Sequence, residues 1–275
     1  MTEILALEHI AIVPAGPTLS MSVGAGQSLA IVGPTSSGKT HFLHVIAGID
    51  RPAQGSVRRH GTLGVASADG VSRRAKVQAA IPRAELTPRG MRVSDLIYKM
   101  RLGEAKYKQI GELTPGQLAA YELLSPLMSD ASLILIDGQL DHLDPWALSD
   151  AIEVIRSLQG KGVTFVVATN RPDLIQHFDA VIVLKDKQVR FAGSIEDLKR
   201  LGPPHLVQVT TERQPGVRAL VAPFQVNVTQ TEDGLRFETP EGQQLAARLL
   251  LEGYGDVRFV ISRPSTLEEA LLALF

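Results

Sequence analysis

Cysteine is missing from all 275 residues, which excludes disulfides and thiolate metal sites and suits a reducing compartment. Aromatics are sparse, at 5%, and none precedes Phe42. Neither sign of charge dominates: 28 Lys and Arg stand against 29 Asp and Glu, a net charge of −1. That balance excludes bulk attraction to nucleic acid or to anionic lipid, so nucleic acid is not an expected partner. No apolar run approaches the ~20 residues needed to span a bilayer. Met1-Thr2-Glu3 lacks the basic start and long apolar stretch of a signal peptide. The expectation is a chain soluble by itself, which something else must hold if it works at a membrane. Internal repeats and low-complexity segments are absent as well.

What is present is an ordinary globular composition, 44% hydrophobic, in a chain long enough for one large α/β domain and a small second one. Residues 3–32 alternate apolar and polar positions, broken at Pro14-Ala15-Gly16-Pro17 and Gly24-Ala25-Gly26, and read as short antiparallel strands. Residues 51–78 read as loops with one or two strands. Residues 91–109 read as a helix, and Gln117 to Met128 as another that Pro126 kinks or ends. Leu133 to Ile136, Thr164 to Ala168 and Ala180 to Leu184 are apolar on both faces, as buried parallel strands are. Between the first two, Asp144 and Pro145 cap and open a helix that runs to about Ser157. Strands alternating with helical stretches predict a mostly parallel layered sheet.

The texture changes near Gly202-Pro203-Pro204, which sets the expected domains at 1–202 and 203–275. Residues 205–239 alternate as strands, with Asp233-Gly234 as a hairpin turn. A helix over Glu241 to Leu251, a strand over 256–262 and an amphipathic helix over 266–275 complete a small α+β domain.

Gly33-Pro34-Thr35-Ser36-Ser37-Gly38-Lys39-Thr40 matches the G-x-x-x-x-G-K-[ST] phosphate loop at every fixed position. An apolar strand-like run, Ser28 to Val32, precedes it and a helical run, His41 to Ala47, follows it, which is the context the loop requires. Its backbone N–H groups would cradle phosphate oxygens, aided by the positive end of the helix. Lys39 would reach the terminal phosphates and the Thr40 hydroxyl would hold Mg²⁺. Asp137, closing the strand Leu133 to Ile136, is the second Mg²⁺ ligand. His41-x-x-His44 reads as helix packing and not as a metal site.

From this point the chain resembles the ATP-binding cassette family over residues 3 to about 200. Leu113-Thr114-Pro115-Gly116-Gln117 looks like a worn form of the family's Leu-Ser-Gly-Gly-Gln signature, and Asp141-His142-Leu143-Asp144 resembles the loop that contacts the partner subunit. Asn170 falls where the family has its switch histidine, and Ile81-Pro82-Arg83 where it has a loop glutamine. The resemblance implies a phosphate-loop NTPase of α/β class, with a mostly parallel sheet, an antiparallel N-terminal β-subdomain and a helical subdomain that looks short. It also implies binding of ATP and Mg²⁺, pairing with a second cassette subunit so that each signature serves the other's nucleotide, and an integral membrane permease as partner. The implied location is cytoplasmic, peripheral at the inner face of the cell membrane. Residues Ser265 to Leu274 resemble the tail of cassette subunits from bacterial exporters, or else form an ordinary packing helix with a Ser/Thr-x-x-Glu cap.

Several positions depart from the family's pattern. Gly138 stands where the family has the glutamate that polarises water, Asn170 cannot exchange a proton near pH 7, and Arg83 puts a fixed cation where a neutral ligand is usual. The aromatic that stacks on adenine is missing, with His9 a weak substitute, and Pro115 removes one backbone N–H from the signature. A missing general base costs ~10²–10⁴ in rate. The expectation is a site that binds ATP·Mg²⁺ and hydrolyses it slowly or not at all, with Asp141 or Gln139 as the residues able to replace the glutamate. A non-transporting, ATP-gated interaction protein built on the same fold is the other expectation.

Overall fold

A computed structural model describes residues 2–274 except 15, 68, 203, 204, 225 and 254. The change of texture at Gly202-Pro203-Pro204 therefore lies partly outside the described residues. The chain divides into two compact units, Met1–Ile195 and Glu196–Phe275.

In the first unit, β1 (Glu3–Ala11) and β2 (Leu19–Gly24) pair antiparallel, and β3 (Ser28–Val32) runs into α1 (Lys39–Ala47). Next come β4 (Gln54–Arg59), β5 (Leu63–Val65), α2 (Val93–Lys99), α3 (Pro115–Met128) and β6 (Leu133–Asp137). The unit closes with α4 (Pro145–Gln159), β7 (Thr164–Thr169), β8 (Ala180–Lys185) and β9 (Gln188–Ser194). Two sheets result, β2-β1-β4 and β5-β6-β7-β3-β8-β9. In the larger one every pair is parallel except β8 with β9. A shared core that includes Leu5, Leu7, Leu29, Ile31, Phe42 and Val166 joins the small sheet, α1 and the central strands. Parallel strands bring their C-terminal ends to one edge of a sheet, so β3, β6 and β7 deliver Val32, Asp137 and Thr169 side by side.

Two helices differ from the expectation. α2 ends at Lys99 instead of running to residue 109, because a left-handed Arg101 (φ 54°) stops it. Arg101 N–H donates to Tyr98 O at 2.9 Å and Leu102 N–H to Ile97 O at 3.1 Å, the closing bonds of a Schellman cap built without its usual glycine. α3 begins at Pro115 and continues through Pro126 to Met128. Pro126 forfeits one helical bond so near the C-terminus that the last turn survives, with Ser129 Oγ donating to the Pro126 carbonyl at 2.7 Å.

The second unit takes over within α5 (Ile195–Leu201). It continues as β10 (Leu206–Thr210), α6 (Gln214–Val221), β11 (Asn227–Thr231), β12 (Gly234–Glu238), α7 (Gly242–Glu252), β13 (Phe259–Arg263) and α8 (Leu267–Leu272). The four strands form an antiparallel sheet in the order β11-β12-β10-β13, the split β-α-β-β-α-β arrangement. Its core packs Val207, Val209, Leu235 and Phe237 of the sheet against Val217 of α6 and Leu245 of α7. α6 corrects the all-strand reading of residues 205–239. The hairpin loop is Glu232-Asp233, and Gly234 already belongs to β12, where a Cβ would strike the Val209 carbonyl oxygen.

Candidate functional site

The loop Gly33 to Thr40 joins β3 to α1 at the C-terminal edge of the large sheet. Its path needs glycine at two places. A Cβ on Gly33 would run into the Leu184 carbonyl oxygen and Ser37 Oγ, and Gly38 sits at φ 99° as the residue that starts α1. Ser36 is also left-handed, at φ 64°. Such alternation turns successive N–H groups inward into an anion-binding concavity. The turn at Asp186-Lys187 buttresses the loop, with Lys187 N–H donating to Ser37 O at 3.0 Å. Composition gave no hint of that support, which comes from the β8–β9 hairpin lying beside β3.

Lys39 folds back over the loop. Its Nζ donates to Gly33 O and to Pro34 O, both at 2.8 Å, and lies 3.4 Å from Ser37 Oγ. Burial pushes the ammonium below its ordinary range, and Asp141 and then Asp137 push the other way. A partly desolvated cation held by neutral carbonyls is a group that gains from an incoming phosphate.

Asp137 and Thr40 line one cavity of about 330 Å³, together with Ser67, Asp69, Glu122 and Gln139. Among the described residues no set of three or more His, Asp or Glu side chains is arranged to hold a metal. A hydroxyl and one carboxylate suit an ion that takes its other ligands from phosphate oxygens and water. Ser67 and Asp69 follow β5 directly, and sequence reasoning missed them; β5's parallel pairing with β6 was the signal. Arg83 does not line this cavity and makes no hydrogen bond or ion pair among the described residues.

The remaining positions divide in two. Gly138 is left-handed (φ 82°), and a Cβ there would meet nothing within 4 Å. Asn170 follows β7 with its side chain exposed, while its N–H donates to Asp141 Oδ2 at 2.8 Å. The Thr169 hydroxyl donates to the other oxygen of Asp141. Asp141 thus holds the segment after β7 and faces the charge of Lys39. Gln139 is buried and engaged at both ends of its carboxamide. His9 is exposed on the bulge of β1, at φ 50°.

The segment Leu113 to Gln117 opens α3 through a capping box: Gln117 N–H donates to Thr114 Oγ1 and Thr114 N–H to Gln117 Oε1, both at 3.3 Å. Leu113 N–H donates to Ile110 O and Pro115 has no N–H, so Gly116 carries the one unpaired amide of these five residues. Gly116 also approaches the segment Asp141 to Asp144, where a Cβ would lie 3.1 Å from His142 O. That loop ends at Asp144, which caps α4 by accepting from Trp146 and Ala147 N–H.

A glycine-cradled lysine at the end of a central parallel strand, with a strand-ending aspartate beside it, defines a phosphate-loop NTPase. Comparison with known proteins refines the class. Residues 17–140 match the family model described as ABC transporter. The phosphonates import ATP-binding protein PhnC 2 of Albidiferax ferrireducens is 29% identical, covering 72% of this chain and 85% of that protein. The lipoprotein-releasing system ATP-binding protein LolD of Paramagnetospirillum magneticum is 25% identical over 61% of this chain and 85% of that one. A dimeric ATP-binding cassette solved in a post-hydrolysis state with ADP and Pi superposes with a TM-score of 0.58, at 17% identity, over 70% of this chain and 98% of that one. Residues 17–140 thus resemble the ATP-binding part of ABC transporters, and the fold is that of solved ATP-binding cassettes. No helix among the described residues is long and apolar enough to cross a membrane.

Proposed function

We propose that this chain is the ATP-binding subunit of a membrane transporter in which its own nucleotide site binds ATP·Mg²⁺ but cuts it slowly or not at all. The observation that carries this reading is the contrast within one site: the cradle Gly33 to Thr40 and Asp137 are in place, whereas position 138 has no side chain and position 170 has an amide. In this scheme Gly33 to Thr40 grip the phosphates, Lys39 leaves its carbonyls for the terminal phosphates, and Thr40 and Asp137 hold the metal. The metal would supply charge neutralisation at the phosphates. Gln139 cannot stand in for the absent base, since both ends of its amide are occupied, and Asp141 is engaged with Thr169 and Asn170.

A second cassette would pair with this one, Leu113 to Gln117 facing the partner's nucleotide and Asp141 to Asp144 the partner chain. The capping box and Pro115 leave one amide free there, which weakens that contribution. The membrane partner in this reading is an integral permease, and the chain itself sits in the cytoplasm, peripheral at the inner face of the cell membrane. We place the chain on the export side because residues 265–274 resemble exporter tails and one relative is named for lipoprotein release.

Titration calorimetry with ATP and Mg²⁺ tests the reading. Wild type binds, and Lys39→Ala loses about a hundredfold in affinity, the worth of charge-assisted bonds to phosphate. Brisk phosphate release by the isolated chain, abolished by Asp137→Asn, would refute it.

A further inference from the structure

β5 is three residues long and pairs with β6 in the register Leu63↔Leu133 to Val65↔Leu135. One more rung follows, from Ala66 N–H to Leu135 O at 2.9 Å. In a parallel ladder the next bond would run from Asp137 N–H to the Ala66 carbonyl. The carboxamide of Gln139 lies in its place. Asp137 N–H donates to Gln139 Oε1 at 2.7 Å, and Gln139 Nε2 donates to Ala66 O at 3.1 Å. The same nitrogen donates to Glu122 Oε2 on α3 at 3.0 Å. Left-handed Gly138 turns the chain so that Gln139 can reach back over Asp137, and Gln139 is only 8% exposed.

One acceptor and two donors are needed at this spot, and a primary carboxamide supplies that set. A carboxylate would lack the donors and would face Glu122. A water could not be anchored covalently to the residue two beyond the aspartate. The wedge also ends the β5–β6 ladder, so that Ser67 and Asp69 line the cavity beside Thr40 instead of extending the strand.

We infer that Gln139 is a positioning residue that fixes the main chain of Asp137 and links it through Glu122 to α3. Occupancy of this chain's own nucleotide site is thereby passed to the helix whose first turn faces the partner's nucleotide. The inference rests on the proposed binding of ATP·Mg²⁺ at Gly33 to Thr40 and Asp137.

The test uses the full chain and two readouts: the Mg²⁺ concentration at half-maximal ATP binding, and hydrogen exchange of the Gly116, Gln117 and Leu118 amides with and without ATP·Mg²⁺. In wild type, ATP·Mg²⁺ slows exchange at the start of α3. Gln139→Met, similar in size but without the bonds, raises the Mg²⁺ midpoint about tenfold, as loss of a residue orienting a metal ligand does, and removes the exchange response. Gln139→Glu raises the midpoint too, by setting two carboxylates together, and adding Glu122→Gln recovers at least half of the loss on a logarithmic scale. Should Gln139→Met not fold, Glu122→Ala gives the same two readouts and must blunt the exchange response. Variants that lower the melting temperature but keep the midpoint and the exchange response of wild type overturn the inference alone, as does a swap pair that recovers nothing. A wild-type chain that binds no ATP overturns the proposed function and this inference with it.

Discussion

In the proposed function, position 138 is the residue that removes the catalytic base while the phosphate cradle stays whole. Its backbone is left-handed, at φ 82°, which glycine adopts freely and a side chain does not. Restoring a carboxylate by Gly138→Glu meets no steric obstacle at Cβ but carries about 1–2 kcal/mol of backbone strain. The expected outcome is a lower melting temperature and phosphate release within about tenfold of wild type, because the left-handed backbone and not the nucleotide aims the new side chain. A gain of several orders of magnitude from this single change would show that the carboxylate alone was lacking. Residues whose placement depends on local chain geometry were legible in the sequence: Gly33, Gly38, Lys39 and Thr40 form one continuous motif, and Asp137 ends an unmistakable buried strand. Arg83 was placed by the Ile81-Pro82-Arg83 pattern, in a segment with little regular structure, and it does not line the cavity beside Thr40. Ser67 and Asp69, which line the cavity beside Thr40, are set by the parallel pairing of β5, a long-range fact.

Elements were readable where their signals are local and periodic. α4 has its Asp-Pro start and a buried stripe, and β6, β7 and β8 are continuous apolar runs. α2 was overextended because Arg101 ends it with no glycine to mark the stop. α6 was missed because Pro215 and Gly216 at its start look like a loop, although Val217, Leu220, Val221 and Phe224 keep helical spacing. At this scale Thr114→Ala removes the cap of α3 and should cost about 1 kcal/mol, read from chemical denaturation.

In the second unit, Glu269 accepts from Arg263 through both oxygens at 2.9 Å and from Arg236 at 3.3 Å, pinning α8 to the sheet. The Arg263 hydrogen bonds hold its carboxyl down at about 2, against an ordinary 4.5. A depressed carboxylate binds fewer protons folded than unfolded, so its stabilisation is complete above pH ~4.5 and is lost as pH falls toward 2. Melting temperature followed over that window should fall more steeply for wild type than for Glu269→Gln, and parallel curves would contradict the assignment.

For the whole molecule, the division into a nucleotide-binding unit and a small α+β unit separates two kinds of legibility. The first carries a motif order that resembles the ATP-binding cassette family; the second, Glu196–Phe275, offers a fold and no chemistry of its own in sequence. The match to the ABC transporter family model spans 17–140, from just before β2 to just past Asp137, which is the part that builds the glycine-rich loop and the cavity beside Thr40. A chain that holds nucleotide without cutting it would use ATP as a bridge between subunits, and its membrane partner would respond to occupancy more than to turnover. The most direct measurement of that claim is the identity of the nucleotide retained by purified chain after about a minute with ATP and Mg²⁺, time for many turnovers of a typical enzyme, read by chromatography of the released ligand. The account predicts ATP bound to wild type and nothing bound to Lys39→Ala. ADP in the wild-type site, or an empty site, would contradict it.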